Sequence, residues 1–308
     1  MNHILFIFLD GVGLGSPDPS LNPLAAAEIP VLMGLLGGQR PLAGTPRLET
    51  ERALFIPTDA GLGVAGLPQS ATGQATILTG RNVPREIGRH WGPKPNAEVA
   101  AMLRQGSVFS RLTDHGLRAG LLNAYPQRYF DAIASGHRGY SAIPLAVTAA
   151  GLPLLTTDDL RAGRGLSADF TGEGWPEPGA PVYSLAEAGR RLAELATAYS
   201  FAFYEHWLTD YVGHRGSFEE GRSVIERLDG VLGGLLAAWD AADGLIVITA
   251  DHGNLEDLTQ KHHTANRVPT LIIGDQRRPF GEGLVDLTGF AGAIERYLVK
   301  DEGFILHP

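Results

Sequence analysis

Four stretches of the chain run almost without a charged or strongly polar residue: Ile4–Leu9, Phe201–Tyr204, Leu245–Thr249 and Val268–Ile273. A strand with one wet face alternates apolar and polar positions, so unbroken apolar runs of this length predict strands buried on both faces of a parallel sheet. Arg118–Asn123 is a weaker fifth strand, preceded by a helix-like Phe109–His115. Helical spacing appears at Ala71–Leu78, Leu185–Ala198, Glu219–Trp239 and Leu287–Val299. In the third of these, Val224, Leu228, Val231, Leu232, Leu235 and Leu236 form one apolar stripe. Strands alternating with helices predict an α/β fold, a mostly parallel sheet flanked by helices on both faces.

Between Tyr125 and Tyr183 the strand signal fades, and glycine and proline punctuate the chain, as at Gly163, Gly172, Gly174, Pro176 and Pro178. A structureless loop of that length is improbable in a compact domain. The expectation is a small inserted cap over 125–183, between core segments 1–124 and 184–308.

Composition narrows the partners. The 308 residues suffice for two domains, or for one large domain with an insertion. A formal net charge of −9 argues against general nucleic-acid binding, which needs a basic surface. An anionic small substrate remains compatible, because bound cations supply local positive charge. The chain has no cysteine, so any metal site uses His and carboxylate ligands. The first apolar run is too short to span a membrane and lacks the frame of a signal peptide. The expectation is a cytoplasmic protein without a membrane partner.

The residues that follow the strands carry the chemistry. Asp10 follows the first, Asp210 and His214 the second, Asp251 and His252 the third, and His263 precedes the fourth. Ligands of open α/β sheets bind at the carboxyl ends of strands. Taken singly, each Asp reads as a turn or helix cap and each His as a structural residue. Together they would crowd carboxylates that repel one another, a conflict that divalent cations remove. Asp and His without Cys suit zinc or manganese. Ser70, in Gln69-Ser70-Ala71-Thr72-Gly73-Gln74, has two readings: an N-cap serine, or a nucleophile at a helix N-terminus that favours an incoming phosphate.

These motifs resemble the alkaline phosphatase superfamily, in particular the metalloenzyme branch of cofactor-independent phosphoglycerate mutase and phosphopentomutase. The resemblance rests on Phe8-Leu9-Asp10-Gly11, Ser70-Ala71-Thr72-Gly73, Asp210-Tyr211-Val212-Gly213-His214, Thr249-Ala250-Asp251-His252-Gly253-Asn254 and His263-Thr264-Ala265-Asn266-Arg267-Val268-Pro269, in that order. It covers the core at both ends of the chain and not the middle. It implies an alkaline-phosphatase-like core with two divalent metal ions, Mn or Zn. One would be held by Asp10, Ser70, Asp251 and His252, the other by Asp210, His214 and His263. Ser70 would form a phosphoenzyme on a small phosphorylated substrate. Gln74 stands where the mutases carry His, and the insert is shorter than theirs. A short, glycine-rich cap favours hydrolysis of a small phosphate ester. The alternatives are a phosphomutase, transfer of sulfate or phosphonate, and a non-catalytic metal-binding protein. Arg81 and Arg128 are the candidate substrate-binding residues, and Arg85, Arg89, Lys94, Arg138, Arg161 and Arg164 lie near the same segments.

Overall fold

The computed structural model describes residues 2–242 and 244–299. Its main sheet has seven strands: β1 (His3–Leu9), β2 (Leu48–Glu49), β3 (Ala53–Thr58), β4 (Ala119–Leu121), β7 (Phe201–His206), β8 (Gly244–Ala250) and β9 (Val268–Ile273). Two further short strands, β5 (Ala124–Tyr125) and β6 (Leu155–Thr156), pair with each other in parallel. The order across the main sheet is β2-β3-β9-β8-β1-β7-β4. β8, β1, β7 and β4 run parallel, and β1 lies between β8 and β7, with Ile7 opposite both Ile248 and Tyr204. Every residue of β7 and β8 is buried, as is every residue of β1 beyond His3, which is why these runs contain no alternation.

β9 departs from the expected direction: it pairs antiparallel with β8. On its other side it meets β3, again antiparallel, a strand that the apolar pattern did not single out. The reversal places the start of β9 at the sheet edge where β1, β7 and β8 end. His263, five residues before Val268, therefore arrives beside Asp210, His214 and His252; a parallel β9 would begin at the opposite edge.

The helices cover both faces. Leu185–Ala196 and Phe218–Ala238 cross in close backbone contact, because Gly189 and Gly234 lack side chains there. A Cβ on Gly234 would stand 2.1 Å from the Ala186 carbonyl oxygen. Phe6, Phe109, Phe201, Phe203 and Phe290 fill the opposite side, with Phe6 and Phe203 stacked at 5.0 Å. No helix among the described residues is long and apolar enough to cross a membrane.

The segment 125–183 carries three short helices, Gln127–Ala134, Ala142–Ala149 and Thr157–Arg161, and ends in an irregular stretch that runs to the helix Leu185–Ala196. The helix Ala142–Ala149 buries Ala142 through Val147 against the helices Ser70–Thr79, Ala97–Gln105 and Val108–Asp114. Its sequence, AIPLAVTA, is too apolar to ride on a wet lid. The insertion is thereby continuous with the main core. Gly234→Ala forces two backbones apart and is expected to destabilise by about 1–3 kcal/mol. Thermal unfolding of the variant checks this as a Tm lower by several degrees.

Candidate active site

Each side chain of the site is delivered by a short step off the sheet. Asp10 follows β1, and Asp251 and His252 follow β8. Asp210 and His214 sit one turn apart on the helix Leu208–Arg215 and so share a face. Gly11 makes the turn after Asp10 with φ +70, and a Cβ there would meet Asp210 Oδ1 at 2.7 Å. The helix Ser70–Thr79 is buried along its whole length and approaches Asp251 closely at Gly73, where a Cβ would come within 2.8 Å of Asp251 Cβ.

The donor atoms gather into two triads. Asp10, Asp251 and His252 form one, fully buried; Asp210, His214 and His263 form the other, nearer the opening. His252 Nε2 lies 3.2 Å from Asp10 Oδ1 and 3.7 Å from Asp251 Oδ2. His214 Nε2 lies 3.4 Å and His263 Nε2 3.8 Å from Asp210 Oδ1. The rings of His252 and His263 stack at 3.7 Å and join the triads.

The imidazoles are oriented from behind. His263 Nδ1 donates to the Pro68 carbonyl at 2.8 Å, His214 Nδ1 to Lys261 O at 3.0 Å and His252 Nδ1 to Gly253 O at 3.3 Å. A carbonyl only accepts, so Nδ1 carries the proton and Nε2 presents a lone pair inward. His214 Nε2 and His263 Nε2 face each other at 3.2 Å. Two lone pairs at that distance need a cation or a proton between them. The donor set of imidazole nitrogen and carboxylate oxygen fits a zinc- or manganese-type ion in each triad.

Electrostatics point the same way. Burial and the neighbouring Asp251 push Asp10 up to about 8. Burial raises Asp251 to about 6, with Asp210 adding to it. Burial works against charge on His252, but Asp251 and Asp10 outweigh it and hold the imidazole up at about 10. Burial and His252 depress His263 to about 4. Without cations the site thus keeps protons where ligand lone pairs belong.

Ser70 is the first residue of its helix, not the cap. Gln69 is the N-cap, and its side chain makes no capping hydrogen bond. The Ser70 hydroxyl is free of capping duty and stands 3.0 Å from His252 Nε2. It opens into a cleft of about 940 Å³ that runs from Asp10 and Asp210 to Tyr125, Tyr129 and Trp175 of the inserted segment. Arg128 lines this cleft. Arg81 does not: its guanidinium is paired with Glu86 and bonded to Gln105 on the outer surface, so it is displaced from the substrate-binding role expected of it.

Two residues support the site in ways that the sequence did not indicate: Gln74, noted only for standing where the mutases carry His, and Glu256. Gln74 donates its amide to Asp10 Oδ2 at 3.3 Å and Asp251 Oδ2 at 3.2 Å, tying the two carboxylates together. Buried Glu256 accepts from Gly13 N at 2.9 Å, Asn254 N at 2.8 Å, Asn266 Nδ2 at 3.0 Å and the Thr264 hydroxyl. It clamps the loops that carry Asp10, His252 and His263. Asn254 in turn donates to Asp210 Oδ1 at 2.6 Å. The only signal for Glu256 was its place three residues after Gly253; its partners are set by tertiary structure.

Residues 179–299 match the family model of the Metalloenzyme superfamily. The 2,3-bisphosphoglycerate-independent phosphoglycerate mutase of Dinoroseobacter shibae is 33% identical over 90 residues, which is 27% of this chain and 18% of that protein. The mutase of the same name from Acetivibrio thermocellus is 40% identical over 72 residues, 21% of this chain and 14% of that protein. The chain therefore spans less than a fifth of these curated relatives. Among solved structures, phosphoglycerate mutase from Leishmania mexicana superposes with a TM-score of 0.58 at 11% identity, covering 100% of this chain and 97% of that one. Alkaline phosphatase from the Antarctic bacterium TAB5 gives 0.53 at 13% identity, covering 96% and 97%. These likenesses bear out the α/β fold and the family resemblance read from the five motifs.

Two outcomes are expected. Glu256→Ala leaves several buried donors unpaired, and should weaken metal binding about 10–100-fold in a zinc or manganese titration. In chelator-treated protein, Asp10, His252 and Glu205 (raised to about 8 by burial and Asp10) hold protons in the native state that the unfolded chain has released. Stability should therefore fall as pH rises from 6.5 to 8, by about 1.4 kcal/mol per pH unit for each such proton. The depressed His263 opposes this only below its unfolded value of 6.5. Melting curves across that window, with and without added metal, check the slope and its suppression by the cation.

Proposed function

We propose that this alkaline phosphatase superfamily metalloenzyme is a two-metal phosphohydrolase that cleaves a small phosphate monoester through a phosphoserine at Ser70. The observation that carries the reading is the position of the Ser70 hydroxyl: buried, unspent on capping, against His252 of one triad, and open to the cleft. Asp10, Asp251 and His252, with Ser70, would hold one cation, and Asp210, His214 and His263 would hold the other. Manganese and zinc both suit these ligands.

When bound, the cations would neutralise phosphate charge and favour the ionised serine and the departing oxygen. The chain's own residues do the rest. The first turn of the helix Ser70–Thr79 turns its amide ends toward the phosphate and favours its negative charge. Ser70 Oγ forms a bond to phosphorus as the ester P–O bond breaks, and the alcohol leaves with the proton that serine gave up. Water then attacks the phosphoserine, releasing inorganic phosphate and restoring the hydroxyl. Gln74 keeps the Asp10 and Asp251 carboxylates in register through both steps.

Hydrolysis is favoured over mutase chemistry because the inserted segment is short and rich in glycine and proline, whereas a mutase must shield its phosphoenzyme. The second reading, a phosphomutase, is favoured by the mutase names of the curated relatives. Phosphate release from a panel of monoesters, with manganese or zinc added, separates the two. Ser70→Ala should lower release by about 1,000-fold or more while metal still binds. Turnover that yields only isomerised phosphate ester would replace the hydrolase reading with the mutase one.

A further inference from the structure

The helix Leu208–Arg215 presents a second stripe beside its Asp210 and His214. Trp207, Tyr211 and Arg215 recur four residues apart and so share a neighbouring face. All three line the cleft, together with Ser70 and Asp210. The inner face of the helix is packed against the site. Thr209 and Gly213 are buried there, the Thr209 hydroxyl donates to His206 O at 3.1 Å, and a Cβ on Gly213 would stand 2.5 Å from Asn254 Cγ. The backbone beneath the outer stripe is thereby fixed.

On that fixed backbone two large rings are left in water. Trp207 is 43% exposed and Tyr211 51%, and the rings meet edge to face at 6.5 Å. Rings of this size stabilise a structure chiefly by being covered, and here each other's edge is the only ring contact recorded for either. A second aromatic pair lines the same cleft from the inserted segment, where Tyr125 and Tyr129 pack at 4.4 Å. Charge does not single out an occupant in this way. The cleft carries both signs: Glu205 accepts from the Tyr125 hydroxyl, and Asp169 from Gly172 N and Gly174 N. Two of its guanidiniums are themselves placed on rings, Arg138 over Tyr129 at 5.0 Å and Arg215 over Tyr211 at 5.7 Å.

We infer that Trp207 and Tyr211 form a ring-binding subsite for the alcohol part of the substrate, so that the phosphate monoester cleaved at Ser70 carries a flat aromatic group. A flat ring can stack on these side chains or meet them edge to face, which an aliphatic group of the same size cannot. The occupant is part of the substrate because both rings line the cleft that holds the nucleophile, and Tyr211 directly follows Asp210. The inference rests on the phosphohydrolase reading for its substrate, but the subsite can be tested apart from it.

Benzyl phosphate and cyclohexylmethyl phosphate supply the test, because their alcohols are similar in size and acidity and differ in the flat ring. With metal-loaded enzyme, kcat/KM for the benzyl ester should exceed that for the cyclohexylmethyl ester by about 5-fold or more. In the double variant Trp207→Leu, Tyr211→Leu, which keeps apolar bulk and removes the rings, the ratio should fall to near one. The variant Trp207→Phe, Tyr211→Phe should keep it. Metal content is measured for each protein. If the double variant does not fold or load metal, Trp207→Leu alone should at least halve the ratio. No preference in the wild type, or a preference unchanged in the ringless variants, overturns the subsite. So does a loss of the rings that changes only self-association, read by sedimentation, because it assigns them to a second copy of the chain. If neither ester is cleaved, the hydrolase reading fails on its own. The subsite is then read by calorimetric titration of benzylphosphonate and cyclohexylmethylphosphonate into metal-loaded protein. Tighter binding of the benzyl compound by about 5-fold or more, lost with the rings, supports it. Equal affinity, or no binding of either, overturns it.

Discussion

The mutual repulsion of Asp10 and Asp251, buried together in one triad, with the charge of Asp210 in the neighbouring triad adding to it, is the constraint on which the rest of the structure depends. No arrangement of neutral protein groups discharges it. Asp10 and Asp251 are driven toward protonation and His252 toward a positive charge, each a sign of a cluster assembled for cations it does not itself supply. The surroundings look built to hold that unfavourable cluster in place. Gln74 bridges two of the carboxylates, Asn254 steadies the third, and backbone carbonyls fix the three imidazoles. Because an unpaired buried charge costs several kcal/mol, the scaffold has to be stiff. The fully buried strands β1, β7 and β8 provide that stiffness.

The motif glycines follow from the same crowding. Gly11 and Gly73 allow main chain to pass within side-chain distance of Asp210 and Asp251, and Gly13 and Gly253 make room for the Glu256 carboxylate. A methyl group at Gly73 would push the nucleophile helix off Asp251, one at Gly11 would displace Asp210, and one at Gly13 or Gly253 would displace Glu256. Their role is one of space as much as of backbone freedom.

Much of this was legible in the chain. Unbroken apolar runs marked the central strands, since burial on both faces removes alternation, and Asp10, Asp251 and His252 could be placed because they directly follow strands. Strand direction was not legible: nothing in Val268–Ile273 distinguishes an antiparallel partner from a parallel one, and that direction is what brings His263 to the site. β3 escaped notice because Pro57 and the polar residues before Ala53 mask a short run near the sheet edge. The inserted segment reads as a small cap because its glycines and prolines are local signals; the burial of Ala142 through Val147 against the helix Ser70–Thr79 is a property of the assembled core that such signals do not carry. Arg81 was misplaced for a similar reason. Sequence proximity to Ser70 says nothing about which way a side chain leaves the C-terminal end of a helix, and Glu86, five residues on, offers a nearer partner than any ligand.

The way the inserted segment joins the core bears on how such a site could change substrates. The helix Ala142–Ala149 packs on the helix that begins with Ser70, so one wall of the cleft and the nucleophile rest on a shared apolar layer. The cleft residues Tyr125, Arg128, Tyr129 and Arg138 lie just before that helix in the chain, on a short strand, a short helix and the turn beyond it. The corner of Asp and His side chains, by contrast, is tied down by Glu256 and Gln74, whose side chains make no hydrogen bond to the inserted segment among the described residues. Chemistry and recognition are therefore held by separate sets of bonds on a common base. Under the proposed phosphohydrolase reading, substitutions between Tyr125 and Arg138 are expected to alter which alcohol group is accepted with little effect on the carboxylates and imidazoles, whereas any change at the strand ends acts on both at once.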